Sequence, residues 1–214
     1  VVSGQATVSR PEPTVMRIRQ TTDKAIINWG SFNIGAGETV GFSQPGSHSV
    51  VLNRVTGVDP TYLYGRLTAN GRVFVTNPHG LFIGPSGIIE TAGFMGSTLN
   101  ITNDQFLSGK YLFHQTPSSA GPIVNRGTIQ SSDGGFVVLA APSVTNEGRI
   151  IAKLGRVELA SGSAVALQFE GNDLVHVVVG ESTRPEAAGI RNAGLISADG
   201  GRVVLDDGTV LRLT

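Results

Sequence analysis

Three segments of this chain spell nearly the same pattern, and that repetition limits the fold more than any other feature. Ile123-Val-Asn125-Arg-Gly127-Thr-Ile129 runs on to Gly134-Gly-Phe-Val-Val-Leu139. Val144-Thr-Asn146-Glu-Gly148-Arg-Ile150 runs on to Gly155-Arg-Val-Glu-Leu159, and Ile190-Arg-Asn192-Ala-Gly194-Leu-Ile196 to Gly200-Gly-Arg-Val-Val-Leu205. Each reads apolar, Asn-x-Gly, a short β-branched run, Gly, and a second run ending in Leu. Leu139 and Leu159 are 20 positions apart; Leu159 and Leu205 are 46 apart, about two such periods. A period near twenty marks one small unit stacked on copies of itself. Segments repeating in one direction pair in parallel with the coil above and below, and inward Val, Ile, Leu and Phe form ladders. A β-sandwich would lack the shared Asn-x-Gly register, and a propeller would need a repeat nearer ~40–45. At ~22 residues per coil the chain predicts roughly nine or ten coils and a rod on the order of 45 Å.

Composition agrees with strands and tight turns. Among 214 residues are 29 Gly, many of them suited to turns that need positive φ. Charged residues make up 15%, and the net charge is +0. A basic footprint for nucleic acid is therefore absent. There is no Cys, so no disulfide framework is expected. No apolar run reaches the ~18 residues of a membrane helix. The opening Val1-Val-Ser-Gly-Gln is that expected of a chain whose leader has been removed.

Along the chain, residues 1–22 predict cap strands, with Pro11 and Pro13 at an edge. Residues 23–109 predict coils: strands broken by Gly30, Gly35 and Gly37, a strand over 49–56, and a short helix or extended excursion over 62–70. Strand, Asn-Pro-x-Gly turn, strand, Pro-Ser-Gly turn and strand follow over 71–90, with one more strand over 93–101. Thr102, Asn103 or Asp104 would cap a helix that Gly109 stops. Residues 110–122 predict an insertion that leaves the stack, and residues 123–214 return to repeat coils. No linker separates these parts, so one domain over 1–214 is expected.

Several motifs lead to no chemistry. Asp133-Gly-Gly and Asp199-Gly-Gly lack the rest of a calcium β-roll nonapeptide and read as turns. His48, His79, His114 and His176 are scattered without metal spacing, so no metal or other cofactor is assigned. Parallel β-helices host polysaccharide lyases and hydrolases, but such sites need clustered carboxylates. The acids here mostly stand singly, Asp206-Asp207 being the only adjacent pair, and no enzyme is expected.

Residues 26–110 carry a resemblance. Ile27-Asn-Trp29-Gly-Ser-Phe32-Asn33-Ile-Gly-Ala-Gly-Glu-Thr-Val-Gly-Phe42, Val51-Leu-Asn53-Arg-Val-Thr-Gly57, Leu67 through Gly84 and Ser97 through Gly109 resemble the two-partner secretion domain. That is the amino-terminal haemagglutination-activity domain of filamentous-haemagglutinin-type exoproteins. The resemblance implies an all-β fold: a right-handed parallel β-helix (a solenoid) with an N-terminal strand cap and small extrahelical β-strands. It implies a secretion and targeting domain of a large Gram-negative exoprotein (adhesin, cytolysin or contact-dependent toxin). The implied partner is an outer-membrane β-barrel transporter with periplasmic polypeptide-transport-associated domains. The protein would pass through the periplasm to the cell surface or medium, as a monomer, and nucleate β-helix folding there. Host or matrix glycans and proteins would meet the full-length protein; the alternative is that this domain is itself an adhesive glycan- or matrix-binding module.

The family's Asn-Pro-Asn-Gly-Ile motif falls on Asn77, Pro78, His79, Gly80 and Leu81, with His79 for the second Asn and Leu81 for Ile. This stretch either recognises the transporter or is a coil-to-coil turn whose Asn caps backbone groups. Trp29, Phe32, Asn33 and Asn53 form the other motif positions. Trp29 and Phe32 read either as exposed binding aromatics or as residues that close the core.

Overall fold

The computed structural model describes residues 1–117, 121–171, 173–180 and 189–207. The coil expected beyond residue 207 lies outside them. The chain climbs in rungs, each contributing to up to three faces. The N-terminal hairpin of β1 (Ala6–Glu12) and β2 (Val15–Gln20) opens the stack, and β3 (Lys24–Trp29) follows. The second rung is β4 (Thr39–Ser43), β5 (Val50–Val55) and β6 (Thr61–Leu63). The third is β7 (Arg66–Ala69), β8 (Arg72–Thr76) and β9 (Leu81–Ile83). In the fourth, β10 (Ile88–Ser97) serves two faces in one strand. The chain then leaves through α1 (Asn103–Leu107) and β11 (Leu112–His114), and returns as β12 (Ile123–Asn125). The fifth is β13 (Thr128–Ala140) and β14 (Ser143–Asn146). The sixth is β15 (Arg149–Ile151) and β16 (Arg156–Ala160), a hairpin of β17 (Ala164–Glu170) and β18 (Asp173–Val179), and β19 (Gly189–Asn192). The seventh is β20 (Leu195–Ser197) and β21 (Arg202–Asp206).

The first face runs β2-β4-β7-β10-β13-β15-β20, and the third β6-β9-β12-β14-β19, every neighbour in parallel. The second runs β3-β5-β8-β10-β13-β16-β21, also parallel. The chain is thus a parallel β-helix. Within these three faces, among the described residues, the cap alone departs from this direction: β1 pairs antiparallel with β2 and ends the first face.

The repeated segments lie directly above one another. Ile123 pairs with Val144 and Val144 with Ile190; Leu139 pairs with Leu159 and Leu159 with Leu205. The Asn of each Asn-x-Gly forms a ladder, fully buried at Asn125 and Asn146 and reaching the surface at Asn192. The Asn125 Nδ2 donates to Asn146 Oδ1 (2.8 Å), and Asn146 Nδ2 to Asn192 Oδ1 (2.7 Å). The Gly of each motif sits where rungs touch. A Cβ at Gly148 would overlap the Gly127 carbonyl oxygen, and one at Gly194 the Gly148 carbonyl oxygen.

The second face is buried on both sides, and this explains its composition. Along β8 and β16 every residue is buried. Val51, Val73, Val137, Leu139 and Leu159 point into the stack, while Leu52, Phe74, Met95 and Val138 point out into a second core. Strands covered on both faces read as continuous apolar runs rather than alternating ones. The cover comes from the two excursions. The strand β11 pairs antiparallel with β17, and β17 with β18, giving a small sheet over that face. Phe74 of the stack meets Phe106 at 6.0 Å, Tyr111 at 5.4 Å and Phe113 at 6.2 Å, all from the first excursion. Phe136 meets Phe169 of the second excursion at 5.6 Å.

This architecture corrects several expectations. The 46 residues from Leu159 to Leu205 are one step of the ladder plus a hairpin, not two periods, because β17 and β18 leave the stack. Residues 123–207 are therefore not all coil. The first excursion begins at Thr98, before the expected 110, and includes α1. With both excursions subtracted, the described chain makes seven rungs and a stack on the order of 30 Å tall. Residues 62–70 are neither helix nor excursion but hold β6 and β7, since Leu63 and Leu67 are fully buried ladder members. The strand expected over 93–101 is the second half of β10, set off by a register shift between Thr91 and Gly93.

Two substitutions test this packing. Replacing fully buried Leu139 by Ala should cost about 2–5 kcal/mol. Asn146→Leu should cost about 1–3 kcal/mol, because it strands the Asn125 amide without its acceptor. Urea unfolding followed by circular dichroism measures both, and a loss under about 0.5 kcal/mol for Asn146→Leu would refute the ladder's role.

Candidate functional site

The Asn77–Leu81 turn joins the second face to the third between β8 and β9. Asn77 is fully buried. Its Nδ2 donates down to the Asp59 carbonyl (3.0 Å) and Thr61 Oγ1 (2.9 Å) of the rung below. Its Oδ1 accepts the His79 N–H at 3.0 Å, and its carbonyl accepts the Gly80 N–H at 3.2 Å. Its own N–H donates to the Ser97 carbonyl of the rung above (3.0 Å). Gly80 takes a φ of +126°, which disfavours side chains.

The rung above closes over the turn. The Gly121 N–H donates to the Pro78 carbonyl (3.1 Å), and Leu81 N–H to the Pro122 carbonyl (3.1 Å). A Cβ on Gly121 would overlap the backbone of His79 and Gly80. Leu81 is fully buried in the stack. Only Pro78 and His79 reach the surface, each half-buried. The turn uses the backbone N–H of residue 79, which any non-proline residue supplies, so His79 can stand where the family motif has Asn.

The other motif residues lie at the base of the stack. Asn53 is buried inside it; its Oδ1 accepts the Trp29 Nε1–H (3.0 Å), and its Nδ2 donates to the Phe74 carbonyl (3.3 Å). Trp29 is half-buried and lies 5.4 Å from the ring of buried Phe32. Asn33 is exposed, with its Oδ1 accepting the Tyr62 N–H (2.8 Å). Trp29, Phe32, Asn33 and Asn53 thus lie on rungs one and two, below the Asn77 turn.

Sequence reasoning missed the cations that fasten the excursions. The Arg54 Nη1 donates to Asn103 Oδ1 (2.7 Å) and its Nη2 to the Ile101 carbonyl (2.6 Å), while Lys24 Nζ donates to the Leu107 carbonyl (2.7 Å). The helix α1 is held at both ends, and a capping box between Thr102 and Gln105 starts it. Arg72 lies under the hairpin, its guanidinium 4.8 Å from the Phe169 ring centre and 3.1 Å from His48 Nδ1. Burial lowers the pKa of Lys24, Arg54 and Arg72; Tyr111 and Asp173 oppose the shift at Arg72. Glu158 is buried beside Arg156 (2.8 Å); burial raises its pKa, and the guanidinium works against that. A cation within a β-branched run was the available signal, but alternation suggested solvent where the excursions provide cover.

Among the described residues, no three of His, Cys, Asp and Glu gather as a metal site. The two ends differ. The outer edge of β1 is exposed, and at the top Val203 and Leu205, members of the interior ladders, stand 44% and 51% exposed with no rung above them among the described residues.

Comparison with known proteins places this architecture. The TPS secretion domain family matches residues 2–210. A heme/hemopexin-binding protein of Haemophilus influenzae is 35% identical over 199 residues, covering 85% of this chain and 22% of that protein. A second heme/hemopexin-binding protein of Haemophilus influenzae is 38% identical over 112 residues, 52% of this chain and 12% of that protein. The crystal structure of the HMW1 secretion domain from Haemophilus influenzae superposes with a TM-score of 0.86 at 37% identity, covering 95% of this chain and 54% of that one. The chain thus spans about a fifth or less of the length of the heme/hemopexin-binding relatives. It belongs to the TPS secretion domains, the modules that take large exoproteins across the Gram-negative outer membrane with a transporter as partner.

Proposed function

We propose that this domain is read by its outer-membrane β-barrel transporter while still unfolded, through the transporter's periplasmic polypeptide-transport-associated domains. It then coils outside the cell, rung upon rung, from the N-terminal cap upward. The observation that carries this reading is the difference between the two ends. The first rung is closed by the β1–β2 hairpin, whereas no rung follows the seventh among the described residues, and its ladder residues Val203 and Leu205 stand half-exposed. A first rung closed by its own hairpin gives the stack a fixed starting end.

The Asn77 turn supports recognition before folding. Its polar groups are consumed by the rungs above and below, and only Pro78 and His79 reach the surface. Extended segments would pair with the transporter by strand addition. Host or matrix glycans and proteins are then partners of the full-length exoprotein. The exposed aromatics offer little open ring face for stacking on a sugar. Tyr62 stacks on Phe82 at 5.3 Å and lies beside Tyr64 at 6.2 Å, so the Tyr62 and Phe82 faces are turned toward each other.

Two experiments test the reading. Leu139→Asp puts an acid in the interior ladder; secretion should fall together with folding of the purified domain. Normal secretion of a variant that cannot fold would remove coiling as the driver. Asn77→Ala should cost about 1–3 kcal/mol in the folded domain. It should leave binding of the unfolded chain to the isolated periplasmic domains unchanged, and a lost affinity there would make Asn77 a recognition residue.

A further inference from the structure

The N-terminal hairpin carries a charge excess in a neutral chain. Residues 1–22 hold Arg10, Arg17 and Arg19 against Glu12 alone, 3 − 1 = +2, whereas the whole chain is +0. Two of these arginines share one face. Ile18 between them is fully buried, so Arg17 and Arg19 point outward, with Cα atoms roughly 6.8 Å apart along the strand. They line a groove of about 450 Å³ over β1, β2 and β4.

The register builds the rest of that groove. Thr7 pairs with Arg19 and Ser9 with Arg17 on one side; Gly41 pairs with Arg17 and Ser43 with Arg19 on the other. Thr7, Ser9 and Ser43 therefore flank the two arginines, the Ser9 hydroxyl donating to the Arg17 carbonyl (3.4 Å), and the lining holds no acid. Gly41 has no side chain where Arg17 and Thr68 have theirs, which opens the floor. The volume falls within the ~300–1,000 Å³ range of small-ligand clefts. The arginine stems give apolar walls and the forks match tetrahedral or planar oxyanions.

We propose that this groove binds a sugar carrying closely spaced sulfate or phosphate groups. One anionic group would take each guanidinium, with the sugar over Gly41 and its hydroxyls toward Thr7, Ser9 and Ser43. The charge complementarity and the sugar-sized volume favour this occupant over a peptide strand. The site is formed by the folded cap, so it acts after secretion and does not rest on how the transporter reads the chain.

Calorimetry with the folded domain tests it. Sucrose octasulfate and a glucosamine disaccharide bisphosphate are the probes, and unmodified sucrose is the neutral control. Saturable one-to-one binding of either anionic sugar, absent with sucrose and weakened by added salt, is expected. The tighter of the two probes distinguishes a sulfated from a phosphorylated source. Arg17→Gln with Arg19→Gln should weaken binding at least tenfold, and Gly41→Asp should do the same with both arginines kept. Arg10→Gln, on the same hairpin but outside the groove, should leave affinity unchanged. Three results would overturn the site: no binding of either probe at low salt, equal loss in Arg10→Gln, or full affinity in the double variant. Circular dichroism and thermal melting of each variant separate lost binding from lost fold, and secretion of the double variant should stay normal.

Discussion

Everything in this molecule depends on close parallel contact between successive rungs. At the corners the chain must let one backbone press on the next, and residues such as Gly148, Gly155 and Gly194 allow that because they lack a Cβ. Between the corners, backbone hydrogen bonds hold the register. One step of slip would turn interior residues outward. The asparagine ladder at Asn125, Asn146 and Asn192 opposes such slip in the upper rungs, because a displaced Asn would bury an unpaired amide. In the lower rungs Asn53 within β5 and Asn77 after β8 also tie neighbouring rungs through side-chain bonds.

A stack held this way still leaves its second face too apolar to meet water. Leu52, Phe74, Met95 and Val138 project from it, away from the interior. The excursions resolve this by folding back as α1 and a three-stranded sheet. Arg54 and Lys24 anchor the first, and aromatic contacts from Phe106, Tyr111 and Phe169 fill the seam. The domain therefore has two cores that share one sheet, and the outer one needs two segments far apart in sequence to meet.

The inner core was legible in the sequence, and the outer one was not. The Asn-x-Gly repeats, the 20-residue step and the Asn77-Pro78 turn are each written in residues adjacent in sequence. The helix start at Thr102 was readable for the same reason. The pairing of β11 with β17 leaves no such trace, because Leu112–His114 and Ala164–Ala166 share no motif and meet only in space. This is why a hairpin passed for a coil between Leu159 and Leu205. The candidate turn was located by its Asn, Pro and Gly. Its burial under Gly121 and Pro122 could not be read, since that depends on where an excursion returns to the stack.

Both excursions leave after a second-face strand and return at the third face, at rungs four and six. The ladder continues across each departure as though nothing had been added: Phe94 meets Val137, and Val157 meets Val203. Closing a longer loop between two fixed ends adds little entropic cost, about 0.6 kcal/mol per doubling. That vertical seam is therefore a port where foreign sequence could be grafted without disturbing the scaffold. Added residues would be tolerated there so long as the covering side chains, such as Phe106, Phe113 and Phe169, still reach the second face.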